Sequence, residues 1–273
     1  MNDWKNREDY EMKENRTEPN RKTDMKAKTK SAQKSEAGTA TKAKTKSARN
    51  PAGTATSESE QDRQKRVRRI LRKLDREYGT EHACFLHYET DWQLLFAVIL
   101  SAQCTDARVN LVTAELYRKY PTLVSLAQLS EQQLEEEIRS TGFYHNKAKN
   151  IKACAEMLLS QYDGKVPQTM DELVGLPGVG RKTANVVRGE LWKLPGVAVD
   201  THVKRVTGKL GLTQSEDPVQ IEKDLMRILP EDHWVLWNHD IITLGRTLCI
   251  AHRENCGECF LAEECPSCKE KKS

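Results

Sequence analysis

Apolar positions recur at helical spacing through the chain, but only after about residue 60. Val67, Ile70, Leu71 and Leu74 repeat every three to four residues, the period of one helix face. Residues 92–101 are apolar all round, which predicts a buried central helix capped by Asp91. Thr105 or Asp106 caps the next helix, which runs to about residue 120. Short helices follow over 122–126 and 131–139, the second capped by Ser130. Residues 142–147 read as a loop into an amphipathic helix with Ile151, Cys154, Ala155, Leu158 and Leu159 as its stripe. Asp200 caps a helix over 201–209, and Asp217 starts another with Val219, Ile221, Leu225 and Ile228 inward. Trp234, Leu236, Trp237, Ile241, Ile242 and Leu244 form the last long helix. Nothing alternates as a strand does, so the fold class is all-α.

The middle of this pattern is broken by Leu176-Pro-Gly-Val-Gly-Arg-Lys-Thr-Ala184. A short helical turn over 170–174 precedes it, and a helix over 181–191 follows. Gly178 and Gly180 flank Val179 in a tight turn, where glycine reaches φ > 0 and permits close backbone approach. The first N–H groups of the second helix have no partner inside it, and the helix dipole is positive there. The pair forms an anion site suited to a phosphate, with Lys182 beside it. The unit, about 169–191, resembles the helix-hairpin-helix of DNA repair glycosylases.

Composition narrows the picture. The chain has 273 residues, 37% hydrophobic and 31% charged, too polar to be globular throughout. Residues 1–60 read as a disordered tail with an imperfect repeat, 26–32 returning as 42–48. That tail holds 14 Lys+Arg and 10 Asp+Glu, the whole net charge of +4. A basic surface on the folded part must therefore be local, and the tail reads either as a solvated segment or as an arm for DNA phosphates. No apolar run approaches a membrane span, and the N-terminus lacks the apolar core of a signal peptide. A cytoplasmic, nucleoid-associated, monomeric protein is expected. There thiols stay reduced, so eight cysteines point to metal or buried thiols rather than disulfides.

Cys249, Cys256, Cys259 and Cys265 enclose six, two and five residues. Four soft thiolates in a short stretch suit zinc or an iron–sulfur cluster. Zinc sites show two close pairs well apart, and only Cys256 and Cys259 form one here. Cys268 falls outside the pattern and is read, with Cys84, Cys104 and Cys154, as a non-ligand.

Together these signals resemble the endonuclease III family of DNA glycosylases and abasic-site lyases. The resemblance runs from about Gln61 to Cys265. It rests on Leu100-Ser-Ala-Gln-Cys-Thr-Asp106, Lys147-Ala-Lys-Asn-Ile151, 176–187, Val199-Asp-Thr-His202 and the cysteine spacing. It implies a 4Fe-4S cluster on the four cysteines, and duplex DNA with a damaged base or abasic site as partner. It implies two helical domains about a cleft: 84–194, and 61–83 joined to 195–268. Lys182 and Asp200 would face each other across that cleft.

The implied chemistry needs a flipped-out nucleotide, an amine nucleophile at the sugar C1′, and a carboxylate to assist it. Lys182 is the amine; desolvation and a neighbouring helix N-terminus would favour its neutral form. Asp200 is the carboxylate. By resemblance Gln103 fills the gap left by the base, and Phe143 wedges the opposite strand where the family usually has Leu. Gly178, Val179, Gly180 and Arg181, with Ser101 and His202, would contact DNA or line the site. Leu244 stands where His is expected before Gly245-Arg246. Rival readings are a monofunctional adenine glycosylase of the same superfamily and a non-catalytic iron–sulfur sensor. The intact Lys182 and the chain's end soon after Cys265 argue against the first; Lys182 together with Asp200 argues against the second.

Overall fold

The computed structural model describes residues 58–270, so the expectations for the tail fall almost wholly outside the described residues. Within them twelve α-helices run in order: α1 Glu60–Tyr78, α2 Asp91–Leu100, α3 Asp106–Lys119, α4 Leu123–Ala127, α5 Glu131–Ile138, α6 Tyr144–Gln161, α7 Met170–Gly175, α8 Arg181–Trp192, α9 Thr201–Lys209, α10 Pro218–Ile228, α11 Trp234–Thr247 and α12 Pro266–Glu270. The all-α expectation stands with one addition. Cys249–Ile250 and Arg253–Glu254 pair as a two-residue antiparallel ladder inside the cysteine loop, too short to alternate detectably.

Two hydrophobic cores organise these helices. The first gathers Leu94, Leu95, Phe96 and Leu100 of α2, Leu116 of α3, Leu134 and Ile138 of α5, Ile151 and Leu158 of α6, and Val187 of α8. All nine residues from Trp92 to Leu100 are buried, Gln93 included, as the all-round apolar pattern requires. The second core joins Val67, Ile70 and Leu74 of α1 to Val203, Val206, Ile221, Leu225, Trp237 and Ile241 of the C-terminal helices. Burying each such side chain contributes about 1.5–3 kcal/mol before chain entropy is counted.

Helix starts follow local chemistry, with two corrections. Residues 144–147, read as loop, already lie in α6. The cap of α2 is Thr90, not Asp91: Gln93 Oε1 accepts from the N–H of Thr90 at 3.1 Å and of Glu89 at 2.7 Å. Asp91 instead lies in the first turn, where its charge still favours the helix dipole. Thr105, Ser130, Asp200 and Asp217 each accept a backbone N–H at their helix starts.

Polar links join the two cores. Arg246 of α11 donates to Asp106 of α3 at 2.9 Å, and His239 pairs with Glu190 of α8 at 2.7 Å. No described helix is long and apolar enough to cross a membrane.

Candidate active site and cysteine centre

The glycine turn between α7 and α8 is built from two unlike glycines. Gly178 sits at φ +78°, and a Cβ there would lie 2.8 Å from Asn150 Cβ on α6. This position requires glycine on both grounds. Gly180 has φ −93°, with nothing within 4 Å of where its Cβ would be. The expectation of positive φ therefore holds for Gly178 and not for Gly180, which leaves open space outside the turn instead. Val179 is turned inward: its side chain is buried, and its N–H donates to the Leu176 carbonyl at 3.1 Å.

Gly180 is the N-cap of α8 and has no side chain to accept a hydrogen bond. The first-turn amides are thus left to an outside acceptor. Lys182 stands in that turn and is exposed, so the protein alone does not supply the desolvation expected for it. Arg181 is committed elsewhere: its Nε and Nη2 donate to the Glu222 carboxylate at 2.6 and 3.0 Å. Glu222 is buried and also accepts from Asn185 Nδ2 at 3.0 Å. Asn185 donates in turn to the Val197 carbonyl at 3.2 Å, and Gly196 packs so closely that a Cβ would meet Asn185 Oδ1. These bonds fasten α8 to the segment that leads into Asp200.

Asp200 is half-buried and caps α9, accepting from the N–H of Val203 at 2.7 Å. His202, next but one, is half-buried; burial lowers its basicity, Arg205 and Arg246 add to that, and Asp200 opposes it. Arg205 donates to the carbonyls of Gly245 and Cys249 at 3.0 and 2.8 Å, tying α9 to the start of the cysteine loop.

Gln103 and Phe143 share an unexpected feature. Both adopt left-handed backbone, φ +53° and +49°, uncommon for such residues. Phe143 is 66% exposed. A bulky exposed ring on strained backbone is a recurrent mark of functional loops. Ser101 spends its hydroxyl on the Val98 carbonyl at 2.9 Å, at the end of α2. Between the two loops lies Lys147, only 4% exposed, whose ammonium donates to the carbonyls of Leu100 and Thr141 at 2.8 Å each. Burial draws its proton affinity down. In sequence, Lys147 and Asn185 are unremarked members of the stretches 147–151 and 176–187, and Glu222 carries no signal at all.

The four patterned cysteines line one cavity whose walls include Val206, Leu210, Leu244, Leu248 and Leu261. All are free thiols, and burial raises those of Cys249 and Cys259. Among the described residues no three His, Cys, Asp or Glu side chains sit as ligands of a single ion. The thiols surround a space rather than a point, and soft donors on an apolar-walled cavity suit an iron–sulfur group. Leu244, where His was expected, completes the apolar wall. The loop is pinned to α1 by Arg66, which donates to the Leu210 and Glu264 carbonyls at 2.7 and 3.2 Å, and by the Arg69–Glu264 ion pair at 3.0 Å.

Residues 96–231 match the family model of the HhH-GPD superfamily base excision DNA repair protein. Endonuclease III of Synechocystis sp. is 52% identical over 185 residues, 67% of this chain and 84% of that protein. Endonuclease III of Bacillus subtilis is 45% identical over 183 residues, again 67% and 84%. A solved structure of a trapped endonuclease III–DNA covalent intermediate, an estranged-adenine complex, is 41% identical with a TM-score of 0.73, covering 77% of this chain and 99% of that one. The chain belongs to the endonuclease III family, the DNA glycosylases and abasic-site lyases of base excision repair.

Proposed function

We propose that this enzyme removes oxidised pyrimidines from duplex DNA and then nicks the strand, with Lys182 as nucleophile and Asp200 as its carboxylate partner. The observation that carries the assignment is the exposed Lys182 standing one residue inside the open N-terminus of α8. The Lys182 amine attacks C1′ of the flipped nucleotide and the C1′–N bond breaks, the base leaving with a proton. The second amine proton passes, with the help of Asp200, to the ring oxygen O4′ as the C1′–O4′ bond breaks, and the sugar opens to a Schiff base. Removal of a C2′ proton then expels the 3′ phosphate by β-elimination, and water releases the enzyme.

The backbone amides around Gly180 bind a DNA phosphate, which approaches where Gly180 carries no Cβ. Gln103 enters the gap left by the base, and Phe143 wedges the opposite strand. Support for both comes from their shared left-handed backbone and the exposure of Phe143. Gly178 and Val179 act by shaping the turn, and Arg181, held by Glu222, by fixing the helix. Ser101 and His202 line the site, His202 neutral at physiological pH. The two cores support a division into 84–194 and 61–83 with 195–268.

Cys249, Cys256, Cys259 and Cys265 hold a 4Fe-4S cluster. Its bonds to four thiolates would crosslink a loop with too little apolar content to fold alone. The enzyme works as a cytoplasmic monomer.

The test is borohydride trapping on duplex DNA containing one thymine glycol or one abasic site, with Lys182→Gln alongside. A covalent adduct that is lost in the variant is expected. An adduct of equal yield in Lys182→Gln removes Lys182 from its role.

A further inference from the structure

We propose that Cys268 is a reserve ligand of the cysteine centre, taking the iron position of Cys265 when that thiolate is released. The inference rests on reading the centre as an iron–sulfur cluster. Its basis is that five cysteines, not four, line the same cavity: Cys249, Cys256, Cys259, Cys265 and Cys268. Cys268 is 4% exposed, and its thiol lies against those of Cys256 and Cys265.

Cys265 and Cys268 belong to one turn. The N–H of Cys268 donates to the Cys265 carbonyl at 3.2 Å, and that of Lys269 to the same oxygen at 3.3 Å. Residues three apart on such a turn present neighbouring side chains. The turn is also anchored independently of any metal. Arg66 holds the Glu264 carbonyl and Arg69 the Glu264 carboxylate, while Pro266 seats against Gly211, where a Cβ would lie 3.3 Å from its Cγ. Losing the bond at Cys265 therefore leaves Cys268 where it is, facing the vacated position.

A cysteine that merely fills an apolar gap is the ordinary reading of a buried thiol. Cys268 differs because its sulfur shares the cavity with the ligand set, and thiolate is the donor iron prefers there. In the exchange the Cys268 thiol gives its proton to water and its thiolate bonds the iron. The Cys265–iron bond breaks and that sulfur takes up a proton. No electrons move, and the charge of the centre is unchanged.

The experiment measures iron and acid-labile sulfide in the anaerobically purified full chain. The forms compared are wild type, Cys268→Ala, Cys265→Ala, Cys265→Ala/Cys268→Ala and Cys249→Ala. Cys265→Ala is expected to keep most of its iron, while the double variant and Cys249→Ala hold roughly five-fold less. Equal iron in a folded Cys265→Ala and the double variant, whether high or low, overturns the proposal. An iron-free wild type instead overturns the cluster reading beneath it. A second arm covers failure of Cys265→Ala to fold: bleaching of the wild-type centre by a chelator should be roughly three-fold slower than that of Cys268→Ala. Equal bleaching rates overturn the reserve role.

Discussion

The ammonium of Lys147 donates to the carbonyl oxygen of Leu100 at 2.8 Å, and to that of Thr141 at the same distance. One buried cation thus joins the end of the central helix to the loop before Phe143. Gln103 lies three residues beyond the first carbonyl and Phe143 two beyond the second. Lys147→Met keeps the volume and orphans two buried carbonyls, at a cost of about 2–4 kcal/mol. Thermal unfolding checks the cost, and a melting temperature within a degree of wild type would sink it. Activity on lesion DNA, measured well below the melting temperature, should fall with it as the two loops separate.

Gly178 and Gly180 should respond differently to alanine. Gly178→Ala combines left-handed backbone with a 2.8 Å approach to Asn150 Cβ and should destabilise by about 2–4 kcal/mol. Gly180→Ala meets neither obstacle and should unfold at nearly the wild-type denaturant concentration while binding duplex DNA at least several-fold more weakly. Wild-type affinity in Gly180→Ala would remove the phosphate from that turn.

Glu222 receives both Arg181 and Asn185 and is itself buried. Glu222→Ala leaves Asn185 short of an acceptor and frees the half-exposed Arg181, which water can solvate. The expected loss is about 1–3 kcal/mol, less than for a fully buried pair. Chemical denaturation measures it, and an unchanged midpoint argues that the α8–α10 link is dispensable.

Asp240 makes stability depend on pH. It is 2% exposed, 2.9 Å from His82 Nε2, with Asp75, Glu190, His233 and His239 grouped about it. Burial pushes its carboxyl up to about 7 and Asp75 adds to this, against His239 and His233. The native state therefore keeps a proton that the unfolded chain gives up near pH 4. Its contribution is complete below about pH 4 and is lost as pH rises through about 7. His233 runs the same way: burial opposes its protonation, but Asp232 and Asp75 outweigh that and raise it. Asp240→Asn should gain on wild type by on the order of 2 kcal/mol between pH 5 and pH 8. Urea midpoints at those two pH values decide it, and parallel profiles would show that Asp240 does not control the dependence.

Much of this was written locally in the chain. Helical periodicity, capping residues and the apolar run at 92–101 specify elements that need only neighbours in sequence to form. The glycine turn and the cysteine spacing are equally local, since a tight turn and a short loop fix their own geometry. The choice of Thr90 over Asp91 as cap was not legible, because Gln93 decided it by reaching back to two amides.

What only the tertiary structure decided is which distant groups meet. Glu222 carries no motif and gains its role when α10 folds against α8, 41 residues earlier in sequence. Lys147 becomes a staple only when α6 brings it to the end of α2, because a buried ammonium must find acceptors wherever the fold supplies them. Cys268 looks incidental in sequence and joins the cavity lined by the four patterned cysteines only because Arg66, Arg69 and Gly211 set the turn that carries it. Sequence determined the helices, the turn and the reactive residue types. Packing determined their partners, because long-range contacts depend on the whole set of buried faces and not on any one stretch.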